Sequence, residues 1–375
     1  MKLIYINAKD TSVAEAQVFS LLDYYKKKSK FQQIILLQGY RNKNEIIQIK
    51  KKLVNFDIDI YWFKIFPNYS MFNHFTYKKI RKQLDAITID ANTIIHVRGE
   101  IYGAMVVRYL KKKEKPLNLL VDIRGVNIEE IQEYYKRRLI LKFDKINRFK
   151  HAYSILRQDI PITVVSTALK NYLITHHSFK EKNVCINPNI SGLQFEFSQE
   201  KRNKIRKEYS ITDEQIVAVI SSNSSANWQK DYKVIKKLTD LNVMVFNLSL
   251  HKVDLPQVIN KKIDFNKMPS YLSAADIAVL WRDENIVNQV ASPSKFSEFA
   301  CMGLYVLHNA TVQIATEYIQ NTQSGKLYKN VDEIDLSDVN VMNSVNRQKF
   351  IVNGISKFGI ENIAQSYIKK YNEIY

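Results

Sequence analysis

With 375 residues and 43.9 kDa, the chain holds about two domains, because single cores rarely grow beyond ~250 residues. A composition of 46% hydrophobic and 25% charged residues excludes a disordered or fibrous chain. No run reaches the ~18–20 apolar residues of a membrane span, and neither a span nor a secretory leader is expected.

In the first half, short β-branched runs are predicted as strands over Lys2–Asn7, Gln32–Gln38, Asp59–Phe63, Thr93–Arg98, Leu117–Ile123 and Ile162–Ser166. Amphipathic stretches between them predict helices near Ser12–Lys28, Lys43–Asn55, Met71–Leu84, Ile101–Lys113, Asn127–Leu156 and Thr167–His176. This alternation is that of βαβ units around a parallel sheet. Periodicity lapses after Cys185-Ile186-Asn187-Pro188-Asn189 and through Ser191-Gly192, which marks a domain boundary. The pattern resumes with a helix at Glu200–Tyr209 and strands at Ile216–Ser221, Val243–Leu248, Ile277–Leu280 and Tyr305–His308. Helices are expected at Tyr232–Thr239, Met268–Ala274, Ser294–Cys301 and Gln313–Gln320, and Phe350–Tyr375 closes the chain as a long amphipathic stretch. The expected architecture is α/β, with two Rossmann-like doubly wound domains over 1–190 and 191–349. A C-terminal helical segment, 350–375, is expected to pack back towards the first domain.

Lys and Arg number 56 against 37 Asp and Glu, a net charge of +19. The densest basic runs, Lys26-Lys27-Lys28, Lys50-Lys51-Lys52, Lys111-Lys112-Lys113 and Lys136-Arg137-Arg138, all lie in the first half. Singly, each reads as a solvated helix end that complements the helix dipole. Together they suggest a basic N-terminal half facing something negative, such as an anionic membrane surface. A general Lys/Asn/Ile bias in composition is the other reading.

None of the nine glycines is spaced as GxGxxG, and no Gly-Lys-Ser/Thr occurs, so the dinucleotide fingerprint and the Walker loop are both missing. Gly39, Gly99 and Gly125 instead end strand candidates, at the edge where open α/β sheets bind ligands. Asp57-Ile58-Asp59 is formally a DxD but enters an alternating strand and reads as a turn and edge-strand pair. The seven histidines, His96 and His176-His177 among them, lack metal-ligand spacing, Cys185 and Cys301 form no CxxC, and no GxSxG elbow is present. No metal and no cofactor are expected.

The most informative stretch is AADIAVLWRD-ENIVNQVASP-SKFSEFACMG-LYVLHN, which reads as strand, polar loop, helix and strand from Ala274 to Asn309. Pro293-Ser294-Lys295-Phe296-Ser297-Glu298-Phe299, continued by Gly303 and Val306, resembles the donor-site motif of the group 1, or family-4, glycosyltransferases of the GT-B fold. The residue chemistry agrees. Ser292 or Ser294 would cap the helix, whose positive N-terminus suits a diphosphate, and Lys295 adds a charge beside it. Glu298, one turn on, would accept hydrogen bonds from two ribose hydroxyls. Gly303 would end the helix in a left-handed conformation.

The resemblance has departures. Where the family carries a second glutamate eight positions earlier, this chain has Val290, and Glu284, Asn285 or Asn288 would take its role. IVAVISSNSSANWQKDYKVIKKL is similar to the first strand and loop of the family's nucleotide domain. Lys230 stands for its lysine and Ser225 replaces its arginine, leaving Arg282 as the substitute cation or else as an ion-pair partner of Asp276 or Asp283. HVRGEIYGAMVVRYL and LLVDIRGVNIEE resemble the acceptor-side loops, with Arg98, Glu100, Asp122, Arg124 and Asn127 at that edge and Arg124 where a histidine is common. ITVVSTALKNYL resembles the family's last N-domain strand and helix, with Ser166 as a structural cap.

The resemblance therefore implies a retaining, metal-independent glycosyltransferase. It would move a sugar from a UDP- or GDP-sugar to a saccharide or polyprenyl-linked saccharide acceptor in bacterial surface polysaccharide biosynthesis. Arg124, Asp122 and Lys295 are the expected catalytic residues, and Lys230, Arg282, Asn288, Ser294, Lys295 and Glu298 the expected donor-binding ones. A cytoplasmic location, peripheral at the inner face of the cell membrane, follows. The alternatives are a sugar-nucleotide epimerase on the same fold and a non-enzymatic protein whose basic surface binds nucleic acid. No nucleic-acid recognition module supports the latter.

Overall fold

The computed structural model describes residues 1–8, 15–54, 56–67, 69–135, 139–221, 231–249, 251–335, 337 and 344–375. Two compact units are formed, Met1–Pro188 together with Ile363–Tyr375, and Asn189–Asn362. The tail expected as one segment over 350–375 is thus shared between them, and it is two helices, α14 (Ser344–Phe358) and α15 (Ile360–Ile374).

The first unit is built on a seven-stranded parallel sheet in the order β3-β2-β1-β4-β5-β6-β7. Its strands are β1 (Lys2–Asn7), β2 (Gln33–Tyr40), β3 (Asp59–Lys64), β4 (Thr93–Arg98), β5 (Leu119–Ile123), β6 (Ile162–Val164) and β7 (Val184–Ile186). Its helices include α1 (Ser20–Lys27), α2 (Lys43–Leu53), α3 (Ser70–Asp85), α4 (Glu100–Lys112), α5 (Asn127–Tyr134), α6 (Leu139–Leu156) and α7 (Thr167–His177). Central strands such as LIYI in β1 and LLVDI in β5 are apolar without alternation because both faces of a parallel sheet are covered by helices, and every residue of β5 is buried. Chain order reverses between β1 and β4, so their C-terminal ends, Asn7 and Arg98, mark the topological switch point. Ser166 caps α7 as expected, accepting from the Leu169 N–H at 3.0 Å.

The second unit repeats the plan with six strands, β10-β9-β8-β11-β12-β13. These are β8 (Val217–Ile220), β9 (Met244–Asn247), β10 (Val258–Asn260), β11 (Ile277–Leu280), β12 (Tyr305–His308) and β13 (Gly325–Leu327). Helices α8 (Gln199–Glu208), α9 (Asp231–Asp240), α10 (Met268–Ala274), α11 (Ile286–Gln289), α12 (Ser294–Cys301), α13 (Gln313–Thr322) and α14 accompany them. The switch point lies between β8 and β11, whose chain continues at once into Trp281-Arg282-Asp283.

At the opposite end of β11, Asp276 accepts from Arg202 at 2.7 Å, from Arg206 at 2.6 Å and from the Val217 N–H at 2.9 Å. Arg282 is therefore not the partner of Asp276. Arg347 of α14 joins this edge, donating to the carbonyls of Ala275 and Leu272. Burial lowers its guanidinium to about 9, with Arg202 adding repulsion. Asp276→Ala would leave these arginines without their carboxylate and is expected to cost about 2 kcal/mol of unfolding free energy, measured by urea denaturation.

Candidate donor and acceptor sites

The candidate donor site is assembled in the second unit around α12. This helix starts directly after Pro293, which occupies the N-cap with φ −64° and supplies no side-chain hydrogen bond. That corrects the expectation that Ser292 or Ser294 is the cap. Ser292 is buried, and its hydroxyl accepts from the Asn189 N–H at 3.3 Å, while the Asn189 amide donates to the Ser292 carbonyl. Ser297 donates to the Asn189 carbonyl at 2.7 Å. Asn189 thus ties down the turn that launches the helix, and Ser294 is the first helical residue. An N-terminus with no side-chain cap keeps its dipole available to an anion.

Beside it, Lys295 Nζ stands 3.2 Å from Glu298 Oε2 and 6.0 Å from the centre of the Phe265 ring. Glu298 is 2% exposed. Burial raises its pKa above the usual glutamate range, and Lys295 opposes that rise without cancelling it. The helix ends as the sequence predicts, with Gly303 at φ +67°. Its far side rests on α14 at Gly354, where a Cβ would lie 2.1 Å from the Ala300 carbonyl oxygen, so only glycine permits this approach.

The loop before α12 is pinned to the end of β11. Arg282 and Asn309 exchange two hydrogen bonds, Arg282 N–H to Asn309 Oδ1 at 3.1 Å and Asn309 Nδ2 to the Arg282 carbonyl at 2.6 Å. Arg282 also donates to Asn288 Oδ1 at 3.4 Å, and the buried Asn288 donates to the Asp283 carbonyl at 2.9 Å. Asn285 caps the four-residue α11, accepting from the Asn288 N–H at 2.9 Å. Val290 is buried, and Glu284 is exposed. His308, with no exposed surface, has Nδ1 2.7 Å from the Leu280 carbonyl, and its Nε2 accepts from the Val312 N–H at 3.2 Å. Burial lowers its pKa, so it is a neutral strut between strand ends. Arg282, Asn288, Ser294, Lys295 and Glu298 accordingly lie on one continuous segment. Lys230 and Ser225 lie outside the described residues. Asn189 and Asn309, which brace the site, were not singled out from the sequence. Asparagine just past a strand end was their only signal.

The candidate acceptor-side residues gather in the first unit at the C-terminal ends of β4 and β5. Asp122 has no exposed surface. It accepts from Arg124 at 2.6 Å, from Tyr367 of α15 at 3.2 Å and from the Thr163 hydroxyl, and it stands 3.2 Å from His96 Nε2. Arg124 also donates to Tyr367 Oη at 2.7 Å, and Tyr371 Oη lies 2.6 Å from His96 Nδ1. Burial alone would raise the Asp122 pKa, but Arg124 and His96 outweigh it and hold the carboxyl well below the usual range. For Arg124 the same pair works in reverse, since burial disfavours its charge and Asp122 more than restores it. Asn127 donates to Glu100 Oε1 at 2.6 Å on the same edge. The Asp57 and Asp59 carboxylates are engaged elsewhere, Asp57 with Lys26 at 2.9 Å and Asp59 with Gln33 at 2.7 Å. Among the described residues no group of three His, Cys, Asp or Glu side chains is placed to hold a metal ion.

With both sheets and both edges in view, similarity to solved structures is decisive for the fold. A glycosyltransferase from Rickettsia africae ESF-5 superposes over 100% of this chain and 98% of its own, with a TM-score of 0.72 at 16% identity. The chain has the GT-B fold. Anabaena HepE, solved in complex with UDP and glucose, matches over 100% of both chains with a TM-score of 0.71 at 11% identity. A UDP-GlcNAc 2-epimerase from Neisseria meningitidis bound to UDP-GlcNAc matches over 100% of both chains with a TM-score of 0.62 at 12% identity. No family model and no curated protein matches the sequence.

Proposed function

We propose that this GT-B chain is a glycosyltransferase that takes a sugar from a nucleotide-sugar donor, UDP-linked in the first instance, and passes it to a saccharide or lipid-linked saccharide acceptor. The observation that carries this reading is α12, an uncapped helix N-terminus with Lys295 beside it and a buried carboxylate, Glu298, one turn on. The ligands named for HepE support a UDP-sugar as donor. In this reading the α12 dipole, Lys295, Arg282 and Lys230 stabilise negative charge on the departing diphosphate. Glu298 turns from Lys295 to two ribose hydroxyls, while Asn288 holds Arg282 in place.

Arg124 keeps 18% of its side chain exposed against none for Asp122. We therefore infer that Arg124 reaches the acceptor side and that Asp122 positions it. The leaving phosphate accepts the acceptor's proton, so the reaction retains configuration without a protein nucleophile or a metal. A role in surface polysaccharide assembly, and membership of family 4, belong to the same reading.

A second reading, sugar-nucleotide epimerisation, is favoured by the epimerase neighbours. Purified protein incubated with UDP-glucose, UDP-GlcNAc and a panel of saccharide acceptors separates the two. Transfer with UDP release is expected. Conversion of the donor to its epimer with no acceptor consumed would replace the first reading by the second, and no turnover of any nucleotide sugar would remove both.

A further inference from the structure

On the first unit, α3, α4 and α6 enclose a groove of about 550 Å³. Its floor is apolar, made by Ile101, Ala104 and Met105 of α4 with Ala152 and Ile155 of α6. Its walls are cationic, with Arg108 and Lys112 from α4 and Arg148 from α6, and His74 and His151 complete them. Among the described residues no carboxylate lines it. Arg108 is hydrogen-bonded to His151 and Arg148 to Asn73, so the cations are held along the walls. The three helices together carry eleven Lys and Arg against three Asp and Glu, a marked excess of positive charge.

One end of this groove adjoins an exposed apolar surface. Leu139 (71% exposed), Ile140 (81%) and Phe143 (62%) stand on the first turns of α6, and Met71 (74%) on the first turn of α3. The Ser70 N–H donates to Asp144 at 2.9 Å, which brings the two helix starts together, and Ser70 is itself a lining residue of the groove. Large apolar side chains this exposed and this close together mark an interaction surface. Lys142 and Lys145 flank them, Lys142 donating to the Gln132 carbonyl and Lys145 standing 4.3 Å from the Tyr135 ring centre. A polynucleotide would engage the cations but leave the apolar floor and tip unused, whereas an anionic amphiphile engages all three.

We propose that this face docks on an anionic lipid bilayer, with Leu139, Ile140, Phe143 and Met71 entering the acyl boundary and the groove taking one phospholipid phosphate between Arg108, Lys112 and Arg148. The inference deepens the reading of a lipid-linked acceptor by naming the surface that meets the membrane, and it rests on that reading only for its biological sense.

The test is flotation of the full chain, without donor or acceptor, with vesicles of phosphatidylcholine alone or mixed in equal parts with phosphatidylglycerol. Co-flotation with the mixed vesicles only, weakened by salt, is expected. Arg108→Gln combined with Lys112→Gln should weaken that binding at least about tenfold, and serine at Leu139, Ile140 and Phe143 together should abolish it. All five side chains lie at the surface, so unchanged thermal melting is expected and confirms folding. Equal flotation with both vesicle types, full binding by either variant, or salt-sensitive polynucleotide binding without flotation would each overturn the proposal. Because no sugar transfer is measured, that failure would leave the transferase reading standing, and failed transfer with intact flotation would do the reverse.

Discussion

Glu298→Gln is expected to weaken UDP binding about a hundredfold, or ~3 kcal/mol, the loss of two charge-assisted hydrogen bonds to a ribose, while the folded state is at least as stable at neutral pH as before. The two effects separate because of how the carboxylate is housed. Burial raises its pKa, so the folded state holds the proton more tightly than the unfolded chain does. Ionised Glu298 therefore subtracts stability as pH rises above the usual glutamate range, and a neutral amide of the same shape removes that penalty. Hydroxyl donors favour the charged form. UDP affinity of the unaltered protein should therefore fall as pH drops through the raised pKa, and the variant should lose that pH dependence. Calorimetric titration with UDP across mildly acidic to neutral pH checks both, and unchanged affinity in the variant would detach Glu298 from the donor site.

The second large effect is on stability. Asp122→Asn is expected to lower the free energy of unfolding by about 3 kcal/mol, because it leaves the largely covered Arg124 without its counter-charge. The depressed pKa of Asp122 sets the sign of the pH dependence. Its contribution is fully present above the unfolded carboxylate pKa of about 3.9 and is lost as pH falls towards the folded value. Urea unfolding at neutral pH and near pH 3 should therefore show a smaller gap between variant and unaltered protein in acid. A variant as stable as the parent at neutral pH would mean that Tyr367, Thr163 and His96 hold this site without the charge.

Much of the scaffold was legible from residue patterns. The strands at Lys2–Asn7, Thr93–Arg98, Ile277–Leu280 and Tyr305–His308 fall where their β-branched runs end. Three strands escaped, Val184–Ile186, Val258–Asn260 and Gly325–Leu327, each three residues long and each at a sheet edge. So short a run carries no periodicity to read. The stretch Asn127–Leu156 reads as one helix but is described as two, and the last amphipathic run breaks at Gly359, between α14 and α15. For the site, motif spacing found the segment that carries Arg282, Asn288, Ser294, Lys295 and Glu298. It gave no hint that Pro293 takes the cap, that Glu298 is almost wholly buried, or that Asp122 is closed over by tyrosines more than 240 positions away. Spacing along a chain records local periodicity, whereas burial depends on which distant segments return.

That return has a consequence for how the protein comes into being. Tyr367 and Tyr371, which complete the Asp122 and His96 cluster, leave the ribosome after the entire second unit has been translated. Until then the nascent first unit carries a buried-to-be carboxylate and arginine with an open flank. Its maturation therefore waits on α15, and a chain truncated before Tyr367 would leave unfinished a unit whose sheet was made long before.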